Sequence, residues 1–189
     1  MRRISVIGTS GSGKTTFAKR LSDRAKLPHV ELDALFWGPK WTPADTALFR
    51  DRVETALSGD AWVCDGNHSA VRPIVLARAD TVVWLDLPLH VCLWQALRRN
   101  AQADWRERLG QTNRETWSRR LGRDSIFWWI LKTHGRRRRE YEALFLSPEA
   151  AHLELYRIGT TADADAWLQM IQTPETAPEV TPVRRSPAG

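Results

Sequence analysis

The feature that most constrains the fold is a glycine-rich stretch, ISVIGTSGSGKTTFAKRL, at residues 4–21. Its central part, from Gly8 to Thr15, satisfies G-x-x-x-x-G-K-[ST] at every position and lies between a strand-like and a helix-like segment. Glycines let backbone N–H groups turn inward around a phosphate, and the N-terminus of the following helix adds its dipole. The sequence therefore predicts a phosphate-binding loop (P-loop) for a nucleoside triphosphate.

The residues of this loop have expected roles toward ATP and Mg²⁺, the cofactors we assign to the motif. Lys14 is expected to bridge the β- and γ-phosphates as a catalytic residue, and Thr15 is expected to give its hydroxyl oxygen to Mg²⁺. The residues predicted to bind the nucleotide through this loop are Gly8, Gly11, Ser12, Gly13, Lys14, Thr15 and Thr16.

Several classes of nucleotide-binding protein do not fit the rest of the sequence. We find no N-K-x-D motif, with which GTPases read their base, and Thr16 stands where a dinucleotide-binding fold needs a third glycine or alanine. At 189 residues the chain is also short for a helicase or a transporter ATPase. A small phosphoryl-transfer enzyme and a nucleotide-dependent switch remain.

Short apolar strands alternate with helices through most of the chain, a pattern typical of a parallel sheet covered on both faces. We therefore predict one α/β domain over 1–172, followed by a disordered tail rich in proline and polar residues over 173–189. Between about 100 and 146 the alternation gives way to an arginine- and tryptophan-rich helical region, interpreted as a lid or insertion over the edge of the sheet. The predicted strands are 4–7, 29–32, 61–64, 81–85 and 153–157, and the predicted helices are 14–26, 43–57, 89–99 and 163–171.

Positive charge is concentrated in the segment 98–139. It holds twelve arginines, one lysine and four acids, whereas the whole chain has a net charge of +6. A local excess of about nine positive charges favours an anionic partner, either nucleotide phosphates or nucleic acid.

Cysteine usage and hydropathy favour a cytoplasmic location. Cys64 and Cys92 are too few and too far apart for a disulfide framework or a zinc site, which fits a reducing compartment. Asp86 and Pro88 interrupt the most apolar window, TVVWLDLPLHVCLW, so no membrane span is predicted. Nothing in the sequence indicates the oligomeric state.

Four further stretches carry a family resemblance: VELDALFWGPKWTP, AWVCDGNH, TVVWLDLPLHVCLWQALRR and GQTNRETW. Together with the loop, they resemble the P-loop kinase group that includes adenylate and shikimate kinases. Within it they are most similar to adenylate-kinase-related proteins labelled DNA topology modulation proteins. That branch has Leu-Asp, an aromatic-Trp pair, a Trp-Thr-Pro-like turn and Asp-Gly-Asn-Tyr. The matching residues are Leu32-Asp33, Phe36-Trp37, Trp41-Thr42-Pro43 and Asp65-Gly66-Asn67-His68.

This resemblance implies a three-layer P-loop fold, with a five-stranded parallel sheet in the order 2-3-1-4-5 and an arginine-rich helical lid. It also implies a substrate pocket between strands 2 and 3. Two departures bear on the substrate. His68 replaces the expected tyrosine, and Asn67-His68 stands where adenylate kinases have Phe-Pro before a phosphate-binding arginine. Arg72 is the candidate substitute for that arginine.

Two carboxylates compete for the metal, because Asp65 and Asp86 each close an apolar strand. We favour Asp65, since Gly66 and Asn67 match the Asp-Gly pattern of the kinase group, and a carboxylate there would hold Mg²⁺ through water. Asp86 is expected instead to cap the helix that begins near Pro88.

The predicted acceptor side lies around Asp33, at the end of strand 2. Asp33 is expected to hold an acceptor hydroxyl or to help orient Mg²⁺, with a turn cap as the structural alternative. Trp37 and Trp41 flank a Gly-Pro pair, where a ring could stack on a flat acceptor or pack under the loop. The predicted substrate residues are Asp33, Trp37, Trp41, Asn67, His68 and Arg72.

Arginines are expected to neutralise the phosphates during transfer. Arg98 and Arg99 end the helix after strand 4, where the kinase group places a phosphate-binding arginine. Arg119 and Arg123 share a face of the predicted lid helix. Together with Lys14 and Asp33, the predicted catalytic residues are Arg98, Arg119 and Arg123, whereas the run 136–139 is interpreted as a surface cluster. The resemblance also places the segment from Arg157 against the adenine ring.

These features predict an ATP- and Mg²⁺-dependent small-molecule kinase. Its partners are a nucleoside triphosphate donor and a small acceptor, of which a nucleotide or nucleoside-like compound is favoured. The alternative is a nucleotide-gated, DNA-binding or topology-modulating ATPase that uses the basic 98–139 segment. We favour the kinase, because Asp33 and Asp65 serve no purpose in a DNA clamp and no DNA-reading motif is present.

Overall fold

The strands form a parallel sheet in which the P-loop strand is central. In the computed structural model, which describes residues 1–38, 42–108 (100–108 as backbone only) and 126–171, the sheet has five strands in the order β2-β3-β1-β4-β5. This confirms the predicted α/β fold class and strand order. The strands are β1 (Arg3–Gly8), β2 (His29–Glu31), β3 (Trp62–Asp65), β4 (Thr81–Leu85) and β5 (Glu154–Ile158).

Burial on both faces explains the composition of the central strands. Every residue of β3 and β4 is buried, and so is β1 after its first residue. Strands of this kind occur where helices cover both faces of a parallel sheet. All five strands lie within one or two residues of the predicted positions.

Seven helices are described, and a short 3₁₀ helix precedes β5. Five of them lie where helical sequence was predicted, whereas α2 and α4 were missed because one or two turns are too short to show a helical period. The helices are α1 (Lys14–Ala25), α2 (Leu32–Phe36), α3 (Thr46–Ala56), α4 (Arg72–Arg78), α5 (Leu89–Arg108), α6 (Ile126–Leu146) and α7 (Thr161–Met170), and the 3₁₀ helix is Pro148–Ala150.

Helix α3 begins three residues later than predicted. Asp45 is its N-cap, and its carboxylate accepts a hydrogen bond from the Ala47 amide at 2.9 Å. Pro43 instead forms an isolated bridge with Trp37. The capping residue of the Thr-Pro-Ala-Asp sequence is therefore its last one.

The helices divide the core between the two faces of the sheet. Phe17, Leu21 and Trp167 cover one face from α1 and α7, whereas α3, α4 and α6 cover the other. Trp62 and Trp84 are buried as predicted, but the expectation that Trp94 is buried was wrong, because it is 64% exposed. Helix α5 turns Cys92 and Ala96 inward, and Trp94 between them points outward.

Helix α6 occupies the second half of the predicted lid, but it packs on the sheet. Its residues Ile130, His134 and Tyr141 are buried. The Tyr141 ring lies edge-on to Trp84, with centroids 5.6 Å apart. Residues 126–146 are therefore part of the domain core. Arg119 and Arg123 lie outside the described residues, and the limits of the lid, domain and tail stay predictions.

Asp86 does not cap α5 as predicted; it ties α6 to the sheet. Its side chain, 7% exposed, accepts hydrogen bonds from Arg157 Nε and Nη2 at 2.9 and 2.5 Å, and Arg138 of α6 lies 3.3 Å away. The Arg157 guanidinium also lies 4.5 Å from the Trp84 ring centroid. A buried carboxylate needs such partners, and these two arginines join α6 to β5.

Among the described helices, none combines the length and apolar character required to cross a membrane.

Replacing Asp86 with alanine should loosen this tie. We expect the free energy of unfolding to fall by about 2 kcal/mol, because charge-assisted hydrogen bonds from two arginines are lost. Urea unfolding of Asp86→Ala measures the change, with Asp60→Ala as the control, since Asp60 is exposed. Equal stability of the two variants would contradict the assigned role of Asp86.

Candidate active site

The P-loop is closely packed and tolerates side chains poorly. Gly11 and Gly13 have φ of 81° and 78°, in the left-handed region that favours glycine. A Cβ atom at Gly11 would lie 2.4 Å from the Cys92 carbonyl oxygen, and one at Gly8 would lie 2.5 Å from Ser12 Oγ. The glycines thus allow the loop backbone to pack against α5 and to turn tightly before α1.

The loop also contains a polar group that its own structure leaves unsatisfied. Ser12 is 2% exposed, and its Oγ is buried without a hydrogen-bond partner among the described residues. Buried hydroxyls are normally paired, so this one points to a ligand or water at the loop. Together with the glycine cradle, it fits the phosphate group predicted from the sequence.

Lys14 begins α1, and its ammonium lies in an electrostatically mixed environment. Burial lowers the pKa of Lys14, and the negative charges of Asp33 and Asp65 oppose this shift. Both predicted carboxylates are therefore close enough to act on the P-loop lysine. A phosphate would offset the cost of burying its charge.

Thr15 and Asp65 meet as the metal prediction requires. Thr15 Oγ1 donates a hydrogen bond of 2.6 Å to Asp65 Oδ2, and the Asp65 side chain is 1% exposed. Both residues offer oxygen atoms, the ligands that Mg²⁺ prefers. No group of three or more His, Cys, Asp or Glu residues suited to a metal is found in the described part of the chain. The residues therefore fit an ion that takes its remaining ligands from phosphates and water.

Asp33 and His68 form a second pair, on the acceptor side. His68 Nε2 lies 2.8 Å from Asp33 Oδ1, and the His68 ring packs on Phe36 and Phe49, with centroids 4.6 and 5.1 Å apart. The hydrogen bond to His68 lowers the pKa of Asp33, so this carboxylate is ionised at neutral pH. His68 thus provides an aromatic ring at the position where tyrosine was expected, and its Nε2 is a partner for Asp33.

Asn67 connects the end of β3 to the P-loop. Its side-chain amide donates to the Gly8 carbonyl oxygen, and its Oδ1 is buried without a partner among the described residues. Asn67, His68 and Arg72 line a small cavity of about 20 Å³ together with Tyr141. The three predicted substrate residues are therefore neighbours, although the cavity holds no more than a water-sized group.

Sequence reasoning missed Arg137 and Tyr141. The positive charge of Arg137 lowers the pKa values of Lys14, Asp33 and Tyr141, so this charge acts on the site. The interpretation of 136–139 as a surface cluster did not single out this half-buried member of the run. The sequence did contain a pattern that would have identified this face of the helix. Spacings of four, three and four residues place on one helix face Ile130, His134, Arg137 and Tyr141.

On the other side of the P-loop lies an open groove of about 530 Å³. Its walls are the P-loop, Arg98 and Arg99 of α5, and the start of α7. Arg20 and Asp165, which form an ion pair of 2.5 Å, also line it. The predicted residue Arg98 thus lines the groove.

The structure places Arg157 elsewhere, whereas Trp37 packs beside Phe36, the ring that contacts His68 on the acceptor side. Arg157 turns its side chain away from the groove toward Asp86, because β5 alternates its faces and Ile158 takes the α1 side. Trp37 is 39% exposed, and its ring lies edge-on to Phe36 with a centroid distance of 4.9 Å. Trp41 lies outside the described residues.

No protein-family model matches the chain. The curated proteins that it resembles are cytidylate kinases. One, from Maridesulfovibrio salexigens, is 34% identical over 68 residues, which cover 35% of this chain and 30% of that protein. Another, from Nitratidesulfovibrio vulgaris, is 36% identical over 59 residues, covering 28% of this chain and 25% of that protein. The similarity thus spans less than a third of the length of these relatives.

Similar solved structures include three shikimate kinases. Those from Bacteroides thetaiotaomicron and Aquifex aeolicus both have a TM-score of 0.53, at 16% and 17% identity. The first match covers 90% of this chain and 96% of that one, and the second covers 89% and 93%. The Acinetobacter baumannii enzyme, in complex with shikimate, has a TM-score of 0.51 at 17% identity, covering 94% and 96%. The chain therefore has the P-loop kinase fold, whereas the finer resemblance to DNA topology modulation proteins stays a prediction.

Removal of the Lys14 ammonium should abolish tight nucleotide binding. We expect Lys14→Ala to weaken Mg·ATP binding at least about 30-fold, since losing one partner of a buried charge pair costs roughly 2–5 kcal/mol. Isothermal titration calorimetry measures the Kd. Lys19→Ala is the matched control, because Lys19 is exposed on the same helix. Equal affinities for the two variants would contradict a phosphate role for Lys14.

Proposed function

We propose that the protein is an ATP- and Mg²⁺-dependent kinase that transfers the γ-phosphoryl group to a hydroxyl of a small nucleotide or nucleoside-like acceptor. The observation that carries this proposal is the Asp33 carboxylate, which is paired with His68 and lies close enough to Lys14 for its charge to act on the lysine. A site that only binds a nucleoside triphosphate does not require a second, outward-facing carboxylate there.

The donor half of the reaction rests on the P-loop and the groove. Loop N–H groups and Lys14 hold the β- and γ-phosphates, and the nucleoside extends along the groove past Arg98. Thr15 and Asp65 are the residues that would hold Mg²⁺, and the bound ion would supply positive charge to the phosphates. Arg119 and Arg123 remain predicted to close over the donor.

Asp33 activates the acceptor in the second half of the reaction. Its Oδ1 is bonded to His68, so Oδ2 takes the proton of the acceptor hydroxyl. The acceptor oxygen then forms a bond to the γ-phosphorus in line with the bond to the β,γ-bridging oxygen, which breaks, and ADP leaves. His68 holds the Asp33 carboxylate in place, because the His68 ring itself packs against Phe36 and Phe49.

Positive charge on the acceptor side supports an anionic acceptor. Arg72 lines the small cavity with His68 and shares Glu140 with Arg136, each at 3.6 Å. The charge of Arg137 acts on Asp33 and Lys14. Guanidinium groups suit phosphate and carboxylate oxygens, so the favoured class is a nucleotide whose phosphate binds to these arginines while one of its hydroxyls reacts. The local similarity to cytidylate kinases supports including cytidine monophosphate among the acceptors to be tested.

The DNA-binding alternative is less favoured, because acids pair with part of the basic surface of α6. Arg136 lies 3.6 Å from Glu140, and Arg138 lies 3.3 Å from Asp86 and 3.6 Å from Glu142. Such pairing lowers the net charge available to a nucleic acid backbone.

The kinase proposal is tested by ADP release from Mg·ATP across a panel of acceptors. The panel contains nucleoside monophosphates, nucleosides, shikimate and gluconate, with duplex DNA in a separate arm and Lys14→Ala as the blank. We expect release to be stimulated by one acceptor class and to be absent in the blank. Stimulation by DNA alone would overturn the kinase proposal in favour of the alternative.

A further inference from the structure

The carboxylate of Asp65 is held from both sides. Thr15 Oγ1 donates to its Oδ2 at 2.6 Å, and His29 Nε2 lies 2.8 Å from its Oδ1. Carboxylate oxygens accept hydrogen bonds, so the contact assigns the hydrogen to the His29 nitrogen that faces Asp65 Oδ1. The contacts thus form a chain from His29 through Asp65 to Thr15.

The sheet places His29 where this contact is available. In the register of the parallel pair β2 and β3, His29 lies opposite Val63, and Glu31 lies opposite Asp65. Side chains two residues apart on a strand share a face, so His29 reaches Asp65 diagonally on the side that α1 covers. The His29 side chain is 20% exposed and Asp65 is 1% exposed. The pair is therefore largely shielded from water.

We propose that His29 is a positioning residue for Mg²⁺, acting through Asp65 and Thr15. Its Nε2–H fixes Asp65 Oδ1, so that Asp65 Oδ2 keeps accepting the Thr15 hydroxyl hydrogen and an oxygen lone pair of Thr15 is directed at the ion. The inference rests on the proposed function, because it requires that the P-loop bind a nucleoside triphosphate together with Mg²⁺.

Asp65 needs the second hydrogen bond, from His29, because the terminal side-chain torsion of an aspartate has a broad range of allowed angles. With Thr15 as its sole partner, the carboxylate could rotate toward Lys14, whose ammonium it already influences. Rotation would remove the acceptor that orients the Thr15 hydroxyl. Outer-shell partners of this kind typically contribute 10–100-fold to metal affinity.

The test compares the Mg²⁺ dependence of nucleotide binding in matched variants. Isothermal titration calorimetry gives the Kd of β,γ-imido-ATP with Mg²⁺ and with EDTA, and the ratio of the two values is the gain from Mg²⁺. His29→Phe keeps a ring without the donor, His29→Asn has an amide too short to reach Asp65, and His29→Gln retains an N–H near the position of Nε2. His152→Phe is the control, because His152 contacts the Leu76 carbonyl oxygen instead.

We expect the gain in affinity from Mg²⁺ to be about tenfold smaller in His29→Phe and His29→Asn than in the wild type. Their affinity in EDTA should match the wild type, and His29→Gln should recover most of the gain. A purely structural histidine would lower the melting temperature and weaken both affinities alike, which overturns the inference. An unchanged gain in whichever of the first two variants folds would overturn it too.

The design separates this inference from the proposed function. If the wild-type protein binds β,γ-imido-ATP in neither condition, the proposed function and the inference fall together. If the wild type shows the gain and the His29 variants match it, only the role of His29 is lost.

Discussion

The hydrogen bond from Thr15 to Asp65 joins the start of α1 to the end of β3, and the arrangement of the site depends on it. It holds the P-loop helix against the strand whose next residues, Asn67 and His68, reach the acceptor side. A parallel sheet brings the carboxyl ends of its strands to one edge, so this link fixes the phosphate loop relative to that edge. Burial of Asp65 keeps the link from being exchanged for water.

The site contains two carboxylates with separate surroundings. Asp65 is buried and paired with His29 and Thr15, whereas the Asp33 side chain is 54% exposed and paired with His68. The buried carboxylate suits an ion held at the loop, and the exposed one suits a substrate that must enter and leave. The negative charges of both carboxylates act on Lys14, which lies in the P-loop.

The sequence predicted the parts that depend on local patterns. The P-loop motif located β1 and α1, and the short apolar runs located the other strands. The resemblance to P-loop kinases supplied the sheet order and the preference for Asp65. It did not predict the contacts of Arg157. The alternation of side chains along a strand shows that neighbouring residues lie on opposite faces of the sheet, but it does not show which of these faces meets the nucleotide. Nor did composition reveal that the charge of Arg137 acts on the site. Four consecutive arginines do not show which of them shares the helix face of the buried Ile130 and Tyr141.

The central claim is that Asp33 takes part in phosphoryl transfer, beyond donor binding. The most direct measurement compares Asp33→Asn with Asp51→Asn, an exposed change on α3, in single-turnover transfer to the acceptor that stimulates ADP release. We expect Asp33→Asn to bind Mg·ATP as the wild type does, while its transfer rate falls about 10²–10⁴-fold. Transfer by Asp33→Asn at the wild-type rate would show that Asp33 has no part in the chemical step.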